Sequence, residues 1–337
     1  MRNLVPHRFG SDPEFVFMDT ASHAIIPASV LITANKAIGL KSFIGIDGHP
    51  ATAELRPPPT NNVKHHLYYL AHGIKATNDF LRHSSTSETL LVAAPVVLNE
   101  ALGGHIHVSL FANEPCTLLA QQMNVVYHVG QLRTYDKSKP GDLSSLDANL
   151  VSRMQEYVSK AAAGEATTPD LVCKVLNYIV LPAELWLQPR KGCRERMMKY
   201  QNSDTDLNYF VRWLHTTPAN RSAGFNSWAY MHVEYRTPST WLVSPWLAYL
   251  YLALVKLVML NWEHFRKASL RSAPLDVTPE DNSSTFHAIL MDRLHASGLT
   301  YTRDLRDLPK AIDICGTNRT RWHNALVDVA AWEDLLK

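Results

Sequence analysis

The stretch GGHIHVSL, residues 103–110, is the segment from which the fold of this chain can be worked out. Its two histidines, His105 and His107, stand two residues apart. Two apolar residues, Ile106 and Val108, occupy the alternate positions. Side chains two apart on a strand point to one face, and those between them point to the other. The stretch therefore predicts a strand with an apolar face on a core and an imidazole-bearing face turned away from it.

Three further segments repeat this spacing with charged residues. They are Asp12 with Glu14, Glu54 with Arg56, and Glu234 with Arg236. A half-solvated antiparallel strand explains any one such pair. Exposed strand faces usually carry Lys, Thr, Ser and Gln as well, whereas these four carry only carboxylates, imidazoles and arginines. Together they indicate a metal and phosphate site on one wall of a sheet.

The carboxylates of this wall would repel one another if they converged. Two like charges about 4 Å apart cost about 4 kcal/mol at an effective dielectric near 20. A divalent cation removes that cost, and carboxylates with one or two imidazoles suit Mg²⁺ or Mn²⁺. Zinc is the weaker alternative, because no cysteine stands at a helpful spacing. The predicted metal ligands are Asp12, Glu14, Glu54, His105 and Glu234.

Arginines on or near the wall supply the other half of the predicted chemistry. Arg236 and Arg221 are the candidates for contacting nucleotide phosphates and stabilising a transferring phosphoryl group. Arg56 is a candidate for holding a substrate carboxylate, with a plain salt bridge to Glu54 as the alternative. His232 shares the strand face of Glu234 and is a candidate substrate contact.

Composition restricts the partners. The chain has 337 residues, 46% of them hydrophobic, and a formal net charge of +2, so nothing predicts binding to nucleic acid or membrane. Four cysteines without a C-x-x-C pair favour a reducing compartment, and no signal peptide is recognisable. The apolar stretch 241–262 contains Pro245 and Lys256, and we interpret it as a buried helix rather than a membrane span.

Hydrophobic periodicity predicts strands and hairpins over residues 6–56 and again over 90–98. It predicts helices over residues 61–83, 118–134 and 148–163, the most buried helix over 246–265, and peripheral amphipathic helices over 283–297 and 318–336. No G-x-G-x-x-G turn follows a strand, which argues against a Rossmann sheet. The expected fold class is α+β, with a mainly antiparallel sheet. We predict a catalytic domain over residues 1–265 with a helical insert at about 118–215, and a helical extension over 266–337.

Four motifs in this order resemble those of a known family. They are GSDPEF at 10–15, DGHPATAELRP at 47–57, GGHIHVSL at 103–110 and EYRTPSTWL at 234–242. The sequence resembles the glutamine-synthetase-like amidoligases, and most closely the phage-type carboxylate–amine ligases of type 2. NRSAG at 220–224 is similar to the arginine-bearing segment of glutamine synthetase.

This resemblance implies a curved antiparallel sheet lining an active-site funnel, with helices packed on its outer face. It implies metal binding at the positions of Glu14, Glu54, His105 and Glu234. It also implies nucleotide contacts by Arg221 and Arg236. We add His107 as a catalytic candidate. The implied reaction uses ATP and Mg²⁺ or Mn²⁺ to phosphorylate a carboxylate, which an amine then attacks. The substrates would be small molecules, peptides or protein side chains, in the cytoplasm of an infected bacterium.

The chain departs from the pattern at RKGCRERMMKYQ, where Gln201 replaces an expected glycine. The roles of Arg190, Arg194 and Arg196 are therefore open, and a solvated basic helix face explains them equally well. Three other functions also stay open from the sequence. They are an ATP-dependent guanidino or carboxylate kinase, a non-catalytic binding or structural protein on the same fold, and a metal-dependent hydrolase.

Overall fold

The structure of the protein is a computed structural model. It describes residues 9–34, 44–46, 49–84, 88–109, 169–189, 191–193, 223–225, 232–272, 275 and 283–337. The helices predicted over 118–134 and 148–163 lie outside these residues, as do Arg221 and three arginines of the basic segment, Arg190, Arg194 and Arg196.

An antiparallel sheet organises the described part of the chain. Its main path runs β3 (Ile44–Ile46), β4 (Thr52–Leu55), β1 (Phe9–Asp19), β8 (Gly104–Ser109), β10 (His232–Tyr235) and β9 (Ala223–Phe225). Two more strands, β2 (Ile25–Ile26) and β5 (Thr89–Val92), pair with β1. Every pairing is antiparallel, so the expected α+β class with an antiparallel sheet is confirmed.

One face of this sheet is the apolar core that the alternation predicted. Phe15 and Phe17 of β1 are buried and meet edge to face, with ring centroids 5.3 Å apart. Ile106 and Val108 of β8 are fully buried. Tyr235 of β10 is also buried, and its hydroxyl donates to Asn177 Oδ1 at 2.6 Å. Asn177 belongs to α3 (Pro169–Leu187), which therefore packs on the core face.

The helix predicted over residues 61–83 is α2 (Val63–Ser84). A short helix, α1 (Ala28–Ala34), precedes β3. The single strand predicted over 90–98 is instead β5 and β6 (Val96–Val97), followed by β7 (Glu100–Ala101). The prediction was wrong here because the chain bends at Ala94 and Pro95, and proline has no N–H to donate to a neighbouring strand. Leu98 and Asn99, with φ of 44° and 74°, then turn the chain between β6 and β7.

The most buried helix is α4 (Pro245–Leu260), as predicted, although it ends earlier. Ser244 caps its N-terminus by accepting from the Trp246 N–H at 3.3 Å, and Pro245 fits the first turn, where no N–H is needed. Most of α4 is buried all round, which is typical of a central helix. The chain breaks at Asn261 into α5 (Trp262–Arg271), which explains the shorter helix.

Within the described residues, no single helix meets the length and hydropathy of a membrane span. Only α4 and α5 taken together do so, and they are bent by 93°.

The carboxyl-terminal helices pack on the earlier ones. α6 (Ser283–Leu294) lies on α3, and α7 (Leu308–Thr317) lies on α4. The helix predicted over 318–336 is two short ones, α8 (Arg319–Trp322) and α9 (Val329–Asp334). Ala325, with φ of 62°, interrupts it, and Leu326 bridges to Val92 of β5. Helical periodicity missed this crossing because it is fixed by contacts with a distant strand.

Candidate functional site

The strand register brings the predicted polar residues onto one face of the sheet. Glu14 of β1 lies opposite Glu54 of β4, and Asp12 of β1 lies opposite His105 of β8. His107 of β8 lies opposite Glu234 of β10. Cross-strand partners share a face, and so do residues two apart on one strand. Four neighbouring strands thus present one polar surface, which we call the polar face and define by Asp12, Glu14, Glu54, His105, His107 and Glu234.

Glu14 is the most deeply held carboxylate of the polar face. Its exposed fraction is 1%. Its Oε2 accepts from the Gly103 N–H at 2.6 Å, and its own N–H donates to the Gly103 carbonyl at 2.9 Å. The Thr240 hydroxyl donates to the Glu14 carbonyl at 2.6 Å. Backbone and side chain are therefore both fixed, so the carboxylate is positioned before any ligand arrives.

Asp12 and the two histidines form the centre of the polar face. His107 Nε2 lies 3.1 Å from Asp12 Oδ2. His105 Nδ1 lies 3.6 Å from Asp12 Oδ1 and 3.7 Å from Glu14 Oε1. His105 is buried, whereas the side chains of His107 and Asp12 keep exposed fractions of 18% and 23%. A ligand can therefore reach His107 and Asp12 more easily than His105.

Two glycines leave the room that site side chains occupy. A Cβ on Gly103 would lie 2.1 Å from His105 Nε2. A Cβ on Gly45 would lie 2.0 Å from the Arg56 Cζ. Neither clash can be relieved without moving the imidazole or the guanidinium. Glycine at these positions therefore allows His105 and Arg56 to lie where they do.

Glu54 and Arg56 form the plain salt bridge that the sequence offers as the alternative role of Arg56. The guanidinium donates to Glu54 Oε1 from Nε at 2.6 Å and from Nη2 at 2.5 Å. Glu54 is almost buried, while half of the Arg56 side chain is exposed. A role for Arg56 in holding a substrate carboxylate stays a prediction.

A buried histidine supports the polar face from the core side. Ser11 lies between Gly10 and Asp12, and its hydroxyl is 2.8 Å from His66 Nε2 of α2. Burial, with a smaller contribution from the nearby His107, lowers the pKa of His66 from 6.5 to about 3. His66 is thus a neutral core histidine at pH 7.

The donor types of the polar face fit a hard divalent cation. Carboxylates and an imidazole are ligands that Mg²⁺ and Mn²⁺ accept, and Asp12 Oδ1 is buried without a hydrogen bond among the described residues. In the part of the chain that the structure describes, no three histidine, cysteine or acidic side chains lie close enough together to enclose a metal ion. The side chain of Glu234 is outside that part.

The other predicted residues are placed only in part. The backbones of His232 and Glu234 pair with β8, but their side chains lie outside the described residues. Arg236 follows directly after β10 and is half-buried. Arg221 lies outside the described residues, although Gly224, close to it in sequence, pairs with Glu234.

Sequence reasoning missed two donors that fix Glu14, the Gly103 N–H and the Thr240 hydroxyl. It also missed that Gly45 leaves space for the Arg56 guanidinium. The doubled glycine before His105 and the glycine of the β3 segment were the visible signals. A glycine within a strand often marks the close approach of another group.

The amino-terminal third of the chain matches a known family. Residues 9–119 match the model described as phage phiEco32-like COOH.NH2 ligase-type 2. The matched segment contains Asp12, Glu14, Glu54, His105 and His107. A search of curated proteins finds no match.

Solved structures resemble the whole chain at low identity. A bifunctional glutathione synthetase from Pasteurella multocida is 13% identical with a TM-score of 0.40, covering 98% of this chain and 48% of its own. A glutamine synthase homologue is 13% identical with a TM-score of 0.44, covering 98% of this chain and 70% of its own. GmaS in complex with ADP is 13% identical with a TM-score of 0.40, covering 97% of this chain and 69% of its own. This chain thus spans about half the length of the glutathione synthetase.

The family match confirms, over residues 9–119, the resemblance to the phage-type carboxylate–amine ligases of type 2.

Proposed function

We propose that this protein is an ATP- and divalent-metal-dependent carboxylate–amine ligase whose reaction takes place on the polar face. One observation carries the proposal: the strand register gathers the carboxylates and imidazoles of the matched family segment on three neighbouring strands, β4, β1 and β8, and pairs His107 with Glu234 of β10. A purely structural sheet gains nothing from burying Glu14 and Glu54 opposite each other, because like charges repel.

The first step would activate the acid substrate. A carboxylate oxygen of the acid attacks the γ-phosphorus of ATP, the bond to the β-phosphate oxygen breaks, and ADP leaves. Mg²⁺ or Mn²⁺, when bound, would offset the charge of the phosphates. Glu14, Glu54, His105, Asp12 and Glu234 would hold the cation.

The arginines would complete the nucleotide site. Arg236 and Arg221 would donate to the phosphate oxygens, on which negative charge is spread during transfer. In the sequence, Arg236 directly follows β10, and Arg221 comes two residues before β9. Arg56 and His232 would contact the acid or the amine.

The second step would form the amide. The amine nitrogen attacks the acyl carbon, the bond from that carbon to the phosphate oxygen breaks, and phosphate leaves. The nitrogen must lose a proton. His107 would accept it, because its imidazole is partly exposed and its Nε2 lies beside Asp12, which can stabilise the charged form.

The proposal is tested by ADP release from Mg²⁺-ATP with pooled amino acids and polyamines. Glu234→Gln serves as the blank, since it removes a charge from the polar face with little change in side-chain volume. Release that needs both an acid and an amine, and is absent in the variant, would support the ligase. Release without any amine would instead indicate a kinase. Equal release in the variant would contradict the assignment of the site.

A further inference from the structure

The Glu54–Arg56 pair joins a buried group to an exposed one. The Glu54 side chain has an exposed fraction of 11%, whereas 51% of the Arg56 side chain is exposed. The guanidinium approaches a single carboxylate oxygen, Oε1, and its Nη2 also donates to the Ile46 carbonyl at 3.3 Å. Arg56 therefore reaches in from the surface to a carboxylate of the polar face.

The position of the guanidinium depends on Gly45. Gly45 of β3 lies opposite Glu54 of β4 in the strand register. A side chain at that position would overlap Arg56, since its Cβ would be 2.0 Å from Cζ and 2.1 Å from Nε. The guanidinium is at the far end of a flexible side chain, so it can move away from a Cβ at position 45 without any shift of the backbone.

We propose that Arg56 is an internal counterion, which Glu54 exchanges for the divalent cation; this rests on the proposed function. Glu14 lies directly opposite Glu54, so the two carboxylates need positive charge nearby when no cation is bound. Arg56 supplies it.

The exchange has a small cost, which makes it reversible. Ion pairs with a solvent-exposed partner are weak. In the wild type the cation must displace Arg56 from Glu54, and this should reduce cation affinity only about threefold. Removing Arg56 should therefore make the cation bind about threefold more tightly. If Arg56 were instead a structural residue or a cation-independent substrate contact, moving its guanidinium off Glu54 without removing it would not tighten cation binding.

The test measures Mn²⁺ binding to the full chain by electron paramagnetic resonance, without nucleotide or substrate. Arg56→Ala removes the counterion. Gly45→Ala leaves the arginine in the chain but displaces it from Glu54. Arg266→Ala is the matched control, because Arg266 pairs with Glu263 at 2.9 Å on an exposed helix face. Circular dichroism confirms that each variant is folded.

Tighter Mn²⁺ binding in both Arg56→Ala and Gly45→Ala, with Arg266→Ala equal to wild type, is the expected result. Unchanged or weaker binding in Arg56→Ala would overturn the exchange. Tightening in Arg56→Ala alone would overturn it too, since that result needs only the loss of a charge near the site. If wild type does not bind Mn²⁺ at millimolar concentration, the cation site of the proposed function fails, and the exchange fails with it.

Discussion

Glu14 and Gly103 bind each other twice, once through two backbone groups and once through the Glu14 carboxylate. The Gly103 N–H donates to Oε2 at 2.6 Å, and the Glu14 N–H donates to the Gly103 carbonyl at 2.9 Å. A carboxylate held by a backbone N–H keeps its orientation without a ligand. The oxygen facing His105, Oε1, lies 3.7 Å from the imidazole. This arrangement presents one oxygen of Glu14 to the polar face.

Gly103→Ala should displace the His105 imidazole from its position on the polar face. Its Cβ would lie 2.1 Å from His105 Nε2, so the imidazole must leave its present position beside Asp12 and Glu14. We expect a loss of about 1–3 kcal/mol in the free energy of unfolding, as for overpacked positions, and lower ADP release. Gly10→Ala is the matched control, because its Cβ would meet the His107 Cβ at an ordinary 3.8 Å. Equal stability and activity of the two variants in urea unfolding and in the assay would contradict this account.

His66 should make the stability of the fold fall in mild acid. Burial lowers its pKa from 6.5 to about 3, so between these values the unfolded chain takes up a proton that the folded chain does not. The free energy of unfolding should decrease as the pH falls below about 6.5, by at most about 1.4 kcal/mol per pH unit from this group. His66→Gln keeps a partner for Ser11 but does not titrate. Urea unfolding at pH 7 and pH 5 should show a smaller decrease in the variant, and an identical decrease would argue against the neutral buried imidazole.

Asp304 should be essential for the packing of α2 on α4. Burial alone would raise its pKa, but hydrogen bonds from Lys256, Thr302 and the Val63 N–H lower it below 3.8. Asp304→Asn leaves the nearly buried Lys256 ammonium without its counterion, and should cost about 3–5 kcal/mol in unfolding free energy. Asp79→Asn breaks an exposed pair with Lys75 and should leave the urea midpoint almost unchanged. Similar midpoints for the two variants would contradict a stabilising role for the buried pair.

Glu234→Gln and Arg236→Ala should abolish turnover without unfolding the chain. Glu234 is in register with His107 across two strands, and Arg236 follows the same strand. Losing an arginine that stabilises phosphoryl transfer costs on the order of a thousandfold or more in rate. ADP release measured with folded protein, as judged by circular dichroism, checks both variants. Wild-type rates in either one would remove these residues from the site.

The alternation of polar and apolar residues predicted the main features of the sheet. It separated Phe15 and Ile106 from Glu14 and His105, because strand geometry assigns alternate residues to opposite faces. It left the partner of Arg56 open, because alternation does not say which side chains a residue meets. The structure shows Glu54 as that partner, and Gly45, opposite Glu54 in the register, leaves room for the guanidinium.

The sequence pattern did not predict the contacts between segments that are distant in the chain. The bond from Thr240 to the Glu14 carbonyl and the bridge from Leu326 to Val92 join residues far apart in the chain. Periodicity reports local structure, and these contacts depend on how the helices and the sheet pack. For the same reason the division into residues 1–265 and 266–337 stays a prediction.

Binding of Mg²⁺-ATP, measured by calorimetry with wild type and Glu14→Gln, tests the central claim most directly because it needs no knowledge of the acid or the amine. Asp79→Asn is the control for a lost carboxylate far from the polar face. The account predicts binding at millimolar or lower concentration that requires Mg²⁺, is retained in the control, and is weakened about a hundredfold or more in Glu14→Gln, as expected for a residue that holds the metal. Equal binding in wild type and Glu14→Gln, or no binding at all, would contradict it.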